Sequence, residues 1–435
     1  MSHYEPYPEY IKTGMKWLPK IPEHWEIVQS RRLFSQRKER ANEGDRQLTA
    51  SQKYGIVYQA EFMELEGARV MQVIKGADIL KRVCPNDFVI SMRSFQGGLE
   101  WSSLEGSISS AYVMLVPRKH VVADFFRYLF KSAPYIQALQ STSDLIRDGQ
   151  ALRFDNFAQV DLPIIPEDEQ VKIAKYLDRE TVRIDALIEK KTRFIELLRE
   201  KRQALITHAV TKGLDPSVNM KNSGVEWLGE VPEHWVCKKL MHWMDGYGSG
   251  TTPSKEDDYC VEGGLPWVTT GELREGLISE TDKRVTDVAL SEYSALKAHP
   301  VGSLVIAMYG ATVGRLGLLG VPAALNQACF AIHPCNTISI RLLRWWFEGF
   351  RTELIELATG AGQPNISGDK IRNLFIAAPL SLEEQEQIAD QIESRTLRID
   401  GLVSKTERSI ELLKERRSAL ITAAVTGQID LREAV

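Results

Sequence analysis

The chain contains one long, charged segment twice, and this repeat constrains its fold more than any other feature. Residues 169–215 return as residues 384–430, and 25 of the 47 aligned pairs are identical. Neither copy contains proline, and glycine interrupts only the ends and position Gly401, so nothing in the interior breaks a helix outright. The repeat therefore predicts two long, equivalent helices.

Apolar residues recur in both copies at heptad spacing. One predicted row consists of Leu177, Ile184, Leu198, Leu205, Ile392, Ile399, Leu413 and Leu420. A second row beside it consists of Ile173, Leu187, Ile195, Ile388, Leu402 and Ile410. Such narrow rows are typical of a coiled-coil seam, and they differ from the wider stripe of a helix lying on a core. Because a helix cannot bury a seam alone, we predict that the two copies pair.

A second repeat precedes each globular stretch. Residues 13–25 and 223–235 both end in the sequence Pro-Glu-His-Trp, which we call the PEHW turn. Aromatic residues in proline-rich turns serve packing more often than chemistry. We expect the tryptophans to pack each segment onto the domain that follows, and His24 and His234 to be hydrogen-bonded structural groups. The four tryptophans are Trp17, Trp25, Trp227 and Trp235.

The two globular stretches share an order of predicted elements. Residues 26–165 and 236–380 each begin with short apolar runs between turn residues, continue with a helical pattern, and end with a polar loop and one more strand. In the first stretch the helical pattern covers Val121–Leu139 and is interrupted near Pro134. This order predicts two diverged copies of one α/β (α+β) domain. The predicted boundaries are 1–165 and 216–380 for the domains, and 166–215 and 381–435 for the helices with the tail.

Composition places few limits on function. With 435 residues, 43% hydrophobic and 26% charged, the chain is an ordinary globular protein of two or more domains. Its net charge of −4 does not indicate a nucleic-acid binder, although residues 1–165 carry 21 basic and 19 acidic side chains. No apolar run approaches the length of a membrane span, and the polar N-terminus is not a signal peptide. Five cysteines without a metal-binding spacing make a reducing cytoplasm the expected compartment.

The sequence lacks the signatures of catalysis. It contains no P-loop, no H-E-x-x-H, no G-x-S-x-G and no Asn-Pro-Pro-aromatic motif of an adenine methyltransferase. The glycine-rich stretch Gly246–Gly250 resembles a nucleotide-binding loop. However, no good strand precedes it and no helix start follows it, so we expect an ordinary flexible loop. We therefore expect a chain without catalytic residues or a metal site.

Polar loops at matched positions of the two domains are the candidate binding residues. They lie after a predicted strand and in the loop before the last strand. Arginine, glutamine and asparagine are the residues that contact guanine and adenine edges with paired hydrogen bonds. A solvated turn is the alternative for each residue alone, but recurrence in two diverged copies favours a function for the sets. The candidates are Arg93, Ser94, Gln96, Arg147, Gln150, Arg153, Tyr309, Thr312, Arg315, Gln363, Asn365 and Lys370.

The ordered set of motifs resembles the specificity subunit of type I restriction-modification systems over nearly the whole chain, from about residue 13 to Asp430. The resemblance rests on the two PEHW segments, Pro266-Trp267, residues 307–317, Asn326-Gln327-Ala328, and the Glu-Gln pairs that open both helical repeats. The closing motifs of the two helical repeats also match. In the first domain the loop after the equivalent strand departs from the pattern.

The resemblance implies a non-catalytic reader of double-stranded DNA. Members of the family hold two target-recognition domains on an antiparallel helix pair and contact a bipartite target with a non-specific spacer. They recruit modification subunits, which methylate adenine with S-adenosylmethionine, and restriction subunits, which use ATP and Mg²⁺. No cofactor is expected on this chain itself. The alternative is a coiled-coil scaffold whose domains bind other proteins, which the acidic net charge favours slightly and the matched polar loops oppose.

Overall fold

The structure, a computed structural model, describes residues 4–67, 79–91, 99–142, 152–260, 262–358 and 364–433. The chain divides into two compact units. The first unit consists of residues 1–192 and 408–435, and the second consists of residues 193–407. Each unit therefore contains one mixed domain of helices and strands together with part of both long helices. None of the helices in the described ranges combines the length and the apolar character that crossing a membrane requires.

The elements up to the end of the first long helix alternate short strands with short helices. They are β1 Tyr10–Lys12, β2 Lys20–Pro22, β3 Glu26–Val28, α1 Ser30–Leu33, β4 Phe34–Arg37, β5 Leu48–Ser51, β6 Gly55–Tyr58, α2 Gln59–Glu66, β7 Lys81–Val83, β8 Phe88–Ser91, β9 Glu100–Trp101, β10 Gly106–Ile108, β11 Tyr112–Pro117, α3 Ala123–Leu129, α4 Ala133–Gln140, α5 Phe154–Phe157, β12 Leu162–Ile164 and α6 Glu167–Lys212.

The remaining elements follow a similar order, with one more strand among the described residues. They are β13 Met220–Asn222, β14 Glu230–Pro232, β15 Val236–Lys239, β16 Tyr247–Ser249, β17 Tyr259–Cys260, β18 Leu265–Val268, β19 Leu277–Ile278, β20 Lys283–Val285, α7 Asp287–Glu292, β21 Leu304–Ala307, β22 Leu316–Leu319, β23 Ala324–Leu325, β24 Cys329–Ile332, α8 Ile340–Gly349, α9 Arg351–Glu356, α10 Gly368–Arg372, β25 Phe375–Ala378 and α11 Leu382–Val425.

The two domains share their sheet topology. The first has a sheet of order β4-β11-β8-β9, and the second has the order β16-β24-β21-β22-β19. The hairpin β1-β2 corresponds to β13-β14, and the pair β3-β12 corresponds to β15-β25. The predicted helix over Val121–Leu139 is two helices, and Pro134 lies in the first turn of the second, where its missing N–H costs nothing. The prediction of two diverged domains of mixed helices and strands is confirmed.

Within the second unit, α6 and α11 run antiparallel. Arg199 pairs with Glu407 at 3.1 Å, and Arg202 pairs with Asp400 at 2.9 Å. The residue number therefore increases along one helix where it decreases along the other. Within the first unit, Arg417 pairs with Asp185 at 2.9 Å. Arg417 occupies the position of Arg202 in the repeat, and Asp185 the position of Asp400. Each unit thus makes the same interhelical contact with the roles of the two helices exchanged.

The predicted seam is correct except at two equivalent positions. Leu177, Ile184, Ile392 and Ile399 are buried, as expected of seam residues. Leu187 and Leu402 were predicted to lie in the second row, but their side chains are 41% and 46% exposed. Leu187 and Leu402 lie three residues after Ile184 and Ile399, whereas the less exposed positions lie four residues after them. The half-buried residues Ile188 and Val403 occupy the seam there.

The PEHW turns bind the start of a long helix in each unit. In the first, the carboxylate of Glu169 accepts hydrogen bonds from the Trp25 indole at 3.2 Å and from the Tyr7 hydroxyl at 2.6 Å, and it lies 2.8 Å from His24 Nε2. In the second, Glu384 accepts from the Trp235 indole at 3.1 Å and lies 2.9 Å from His234 Nε2. These contacts confirm that both histidines are hydrogen-bonded.

The tryptophans of the two PEHW segments are not equally buried. Trp25 and Trp235 are fully buried, as predicted. Trp227 is 44% exposed, although its ring lies edge-on to Phe350 at 5.0 Å. The packing role is therefore strongest for the tryptophan that closes each turn.

The glutamine next to each of these glutamates joins the domain to the helix. The Gln170 amide donates to the carbonyls of His120 at 2.9 Å and Ile165 at 2.7 Å, and its oxygen accepts the Val122 N–H at 2.9 Å. Gln385 repeats this arrangement in the second unit, with the Pro379 carbonyl at 2.8 Å and the Ser339 N–H at 2.6 Å. Both glutamines are fully buried. The Glu-Gln pairs are therefore the points at which turn, domain and helix meet.

Each long helix also ends against a PEHW turn. Gly427, with φ +69°, closes α11 in the first unit, and a Cβ there would lie 2.5 Å from Pro22 and 3.1 Å from Trp25. Gly213, with φ +72°, follows α6 in the second unit and lies against Trp235. A left-handed residue packed this closely after a helix favours glycine. In each unit, one PEHW turn thus contacts the start of one helix and the end of the other.

Candidate nucleic-acid interface

The first predicted loop of the second domain leaves the end of β21 in a tight turn. Residues 310–312 form a 3-10 turn, and Gly310 adopts φ +67°. The Thr312 hydroxyl donates to the Tyr309 carbonyl at 2.9 Å, which closes the turn. Tyr309 is 41% exposed, and Arg315 is exposed where the chain turns back into β22. The turn therefore presents an aromatic ring and a guanidinium to solvent.

Arg351 fixes the far end of this loop. Its Nε donates to the Gly314 carbonyl at 3.1 Å, and its guanidinium also contacts Glu275. Gly314 has φ +78°, and a Cβ there would lie 3.3 Å from the Arg351 side chain. The backbone N–H of Glu275 in turn donates to the Leu316 carbonyl at 2.9 Å. These contacts hold the backbone on either side of Arg315 while leaving its side chain exposed.

The second predicted loop meets the first at the end of β21. Tyr309 and Asn365 form an antiparallel bridge. The N–H of Gly310 donates to the Pro364 carbonyl, and the N–H of Ile366 donates to the Met308 carbonyl, both at 2.9 Å. Asn365 is half-buried, and its Oδ1 has no hydrogen-bond partner. The structure thus brings two of the predicted polar loops to one end of the sheet.

Two further predicted residues lie in described parts of the chain. Lys370 lies on α10, where its ammonium donates to the Leu357 carbonyl at 2.9 Å. Arg153 is exposed at the start of α5, and its backbone N–H donates to Asn156 at 2.9 Å. The remaining candidates fall outside the described residues. They are Arg93, Ser94, Gln96, Arg147, Gln150 and Gln363.

The glycine-rich stretch Gly246–Gly250 was expected to be a flexible loop, and this prediction was wrong. Residues 247–249 form β16, which pairs with β24 and is the edge strand of the five-stranded sheet of the second domain, here called the central sheet. A Cβ at Gly246 or Gly248 would lie 2.5 Å from a histidine ring, and one at Gly250 would lie 1.6 Å from the Leu325 carbonyl oxygen. The glycines are therefore needed for close packing, which no local sequence pattern reports.

The rings that crowd these glycines form a histidine pair. His299 Nδ1 lies 2.9 Å from His333 Nε2, and His299 is buried. Burial, together with the neighbouring His333, lowers the pKa of His299 to about 4. Burial also lowers the pKa of His333. The pair is therefore neutral near pH 7 and packs against β16 as an uncharged unit.

We expect the second unit to lose stability as the pH falls from about 6.5 to about 4. The unfolded chain takes up a proton on His299 near its ordinary pKa of 6.5, before the folded chain does, so acid favours unfolding. The loss over this interval should reach about 3 kcal/mol, at about 1.4 kcal/mol for each unit of difference in pKa. Urea denaturation at pH 7 and pH 5 should show a smaller pH dependence in His299→Gln. His242→Gln, which removes an exposed histidine, is the matched control. An unchanged slope in His299→Gln would contradict the assignment.

The second domain and a large part of α11 match a known family of DNA specificity domains. Residues 232–411 match the family described as "Type I restriction modification DNA specificity domain". The chain is 24% identical over 425 residues to the type I restriction enzyme MjaVIII specificity subunit of Methanocaldococcus jannaschii, with 95% of each chain covered. It is 23% identical to the EcoKI specificity subunit of Escherichia coli, over 80% of this chain and 76% of that protein. The resemblance inferred from the sequence motifs is therefore confirmed.

Solved structures support the same fold over nearly the full length. The HsdS subunit from Thermoanaerobacter tengcongensis aligns with a TM-score of 0.59 at 15% identity, covering 94% of this chain and 98% of that one. A chain from a structure of the complex assembly and conformational transition of the type I R-M system aligns with a TM-score of 0.73, also at 15% identity. That alignment covers 93% of this chain and 98% of that one. The predicted fold class is confirmed by these likenesses.

Proposed function

We propose that this chain is the DNA specificity subunit of a type I restriction-modification complex and is not itself an enzyme. The observation that carries the proposal is the meeting of the Tyr309–Arg315 loop with the Asn365 loop at one end of the central sheet. An exposed arginine and tyrosine beside an asparagine supply the hydrogen-bonding groups that contact base edges. The similarity to specificity subunits favours this function over the coiled-coil scaffold.

Each domain would contact one half of a bipartite target, here called a half-site. The contacts of the second domain are proposed to come from Tyr309, Thr312, Arg315, Gln363, Asn365 and Lys370. Those of the first domain are proposed to come from Arg93, Ser94, Gln96, Arg147, Gln150 and Arg153. Because the net charge is −4, neutralisation of the DNA backbone would depend largely on partner subunits.

The partners in this proposal carry the chemistry. Modification subunits would supply S-adenosylmethionine and methylate adenine, and restriction subunits would supply the ATP- and Mg²⁺-dependent step. The proposal places the complex in the cytoplasm, with access to the genome. The contribution of this chain is to select the sequence to which those activities are applied.

Replacing Arg315 by alanine should relax one half-site only. If the guanidinium makes a paired contact with a guanine, its removal should cost about 1–3 kcal/mol at one position of the target. Genome-wide mapping of methylated adenines in strains that carry the parent gene, the Arg315→Ala gene or no gene measures this. Lys297→Ala, which removes an exposed cation ahead of β21 instead of after it, is the matched control.

The three strains separate the possible outcomes. Loss of a bipartite set of methylated sites on deletion supports the proposed function. Relaxation of one half of that sequence in Arg315→Ala supports the assignment of the loop. An unchanged set of methylated sites after deletion would refute the function, and equal relaxation of both halves would show that Arg315 acts through the fold.

A further inference from the structure

Three sequence features outside the proposed contacts converge on the same end of the central sheet. They are the segment after β16, the Pro266-Trp267 pair of β18, and Asn326-Gln327-Ala328 before β24. The N–H of Met308, the residue before Tyr309, donates to the Ala328 carbonyl at 2.8 Å. The Ser249 hydroxyl donates to the Cys329 carbonyl at 2.8 Å. The ends of β16, β21 and β24 therefore lie side by side.

The segment after β16 is held in place by close backbone packing. Gly250 lies so near the Leu325 carbonyl that a Cβ there would be only 1.6 Å from the oxygen. The Trp267 indole donates to the Thr251 carbonyl at 3.2 Å, and Trp267 itself is buried. These two contacts fix the backbone immediately before Thr252, whose side chain is exposed.

A short turn places Gln327 beside Thr252. The Asn326 side-chain oxygen accepts the Ala328 N–H at 3.1 Å, and the Asn326 N–H donates to the Val268 carbonyl at 2.9 Å. This turn leaves Gln327 exposed at its tip. The Thr252 hydroxyl donates to Gln327 Oε1, which fixes the direction of the amide.

We propose that Gln327 contacts a base of the second half-site and that Thr252 is the residue that positions it. The inference rests on the proposed function. With its oxygen engaged by the Thr252 hydroxyl, the Gln327 amide directs its N–H donors outward. In the major groove, the atoms that accept such donors are guanine O6 and N7, adenine N7 and thymine O4. Gln327 adds a donor to the arginine, tyrosine and asparagine already at this end of the sheet.

The test maps methylated adenines in strains that carry Gln327→Ala, Thr252→Val, Thr252→Ser or the control Thr281→Val. The Thr281 hydroxyl donates to the Lys283 carbonyl, so its substitution removes a hydroxyl of the same kind without touching Gln327. Gln327→Ala should lower discrimination at one position of the second half-site by about tenfold or more. Thr252→Val should lower discrimination at that same position. Thr252→Ser, which keeps the hydroxyl, should retain the discrimination of the parent protein. The first half-site should not change.

The outcomes distinguish this inference from the proposed function. If Arg315→Ala relaxes the second half-site but Gln327→Ala leaves it intact, the inference fails and the function stands. If deletion of the gene changes no methylated site, the function fails. Loss of all methylation in Gln327→Ala, with a folded protein, would show a structural role and overturn the inference. Relaxation in Thr252→Val that Thr252→Ser does not reverse would remove Thr252 as the positioning residue.

Discussion

Replacing Gln385 by leucine should destabilise the second unit by about 3–5 kcal/mol. Leucine has nearly the same volume, but it cannot bond the Ser339 N–H or the carbonyls of Thr337 and Pro379. Each buried polar group left unpaired costs about 1–3 kcal/mol. The effect should extend to α8, because the Ser339 hydroxyl caps that helix by accepting the Leu342 N–H.

Hydrogen exchange and urea denaturation of the full chain measure this loss. Protection should fall in α8 and β25, whereas the first unit should keep its protection. Gln387→Leu is the matched control, since Gln387 lies on the same helix but is exposed. The equivalent substitution at Gln170 should produce the same loss in the first unit. A cost no larger than that of Gln387→Leu would show that the buried amide is not what joins the domain to the helix.

The long helices and the domain order could be predicted because their signals are periodic and local. The heptad rows identified the buried residues Ile184 and Ile399 from spacing alone. The same rows were wrong at Leu187 and Leu402. Leu187 lies eight residues before Ile195, whereas Ile188 lies seven residues before it, so a strict heptad count from Ile195 selects Ile188. In the structure Ile188 is half-buried and Leu187 is exposed, which agrees with that count.

The hydrogen bonds between the PEHW turns and the Glu-Gln pairs could not be predicted, although both motifs were identified in the sequence. The sequence singled out the PEHW turns and the Glu-Gln pairs separately, as two repeats. Nothing local indicates that Glu169 accepts the Trp25 indole from a turn 144 positions earlier. A signal was nevertheless present, since both motifs occur twice and in the same order. A buried carboxylate such as that of Glu169 requires donors, and the first PEHW turn supplies them.

The candidate interface was predicted in part, because residue type and recurrence are visible in the sequence but contacts between distant segments are not. The loops of Tyr309 and Asn365 were identified by residue type and by recurrence, and the structure brings them together. Thr252 was not predicted as a site residue because it follows a glycine-rich stretch that was interpreted as flexible, and Gln327 was used only as part of a motif that carries the family resemblance. The close approach of Gly250 to Leu325 exists only in the folded sheet. A glycine needed for packing and a glycine in a mobile loop look the same in a sequence.

A fragment of residues 1–215 should form a two-fold symmetric dimer. In the first unit, α11 completes the core with Leu420, Ile421, Ala424 and Val425. The equivalent residues of α6 in the second unit are Leu205, Ile206, Ala209 and Val210, which pack into that unit's core in the same way. The fragment lacks α11 but keeps these residues. A second copy can therefore supply the missing surface. Because each copy supplies it to the other, the two copies form an isologous pair.

Charge reversal tests the geometry of that dimer. Arg202 of one copy should face Asp185 of the other, because Arg202 pairs with Asp400 in the second unit and Asp185 pairs with Arg417 in the first. Arg202→Asp should place like charges opposite each other twice per dimer and weaken association about tenfold or more. Adding Asp185→Arg should restore it. Ile206→Glu with Val210→Glu should abolish the dimer by placing charge in the core that these residues complete in the other copy. Sedimentation at micromolar concentration measures each variant, and a monomeric parent fragment would show that α6 cannot replace α11.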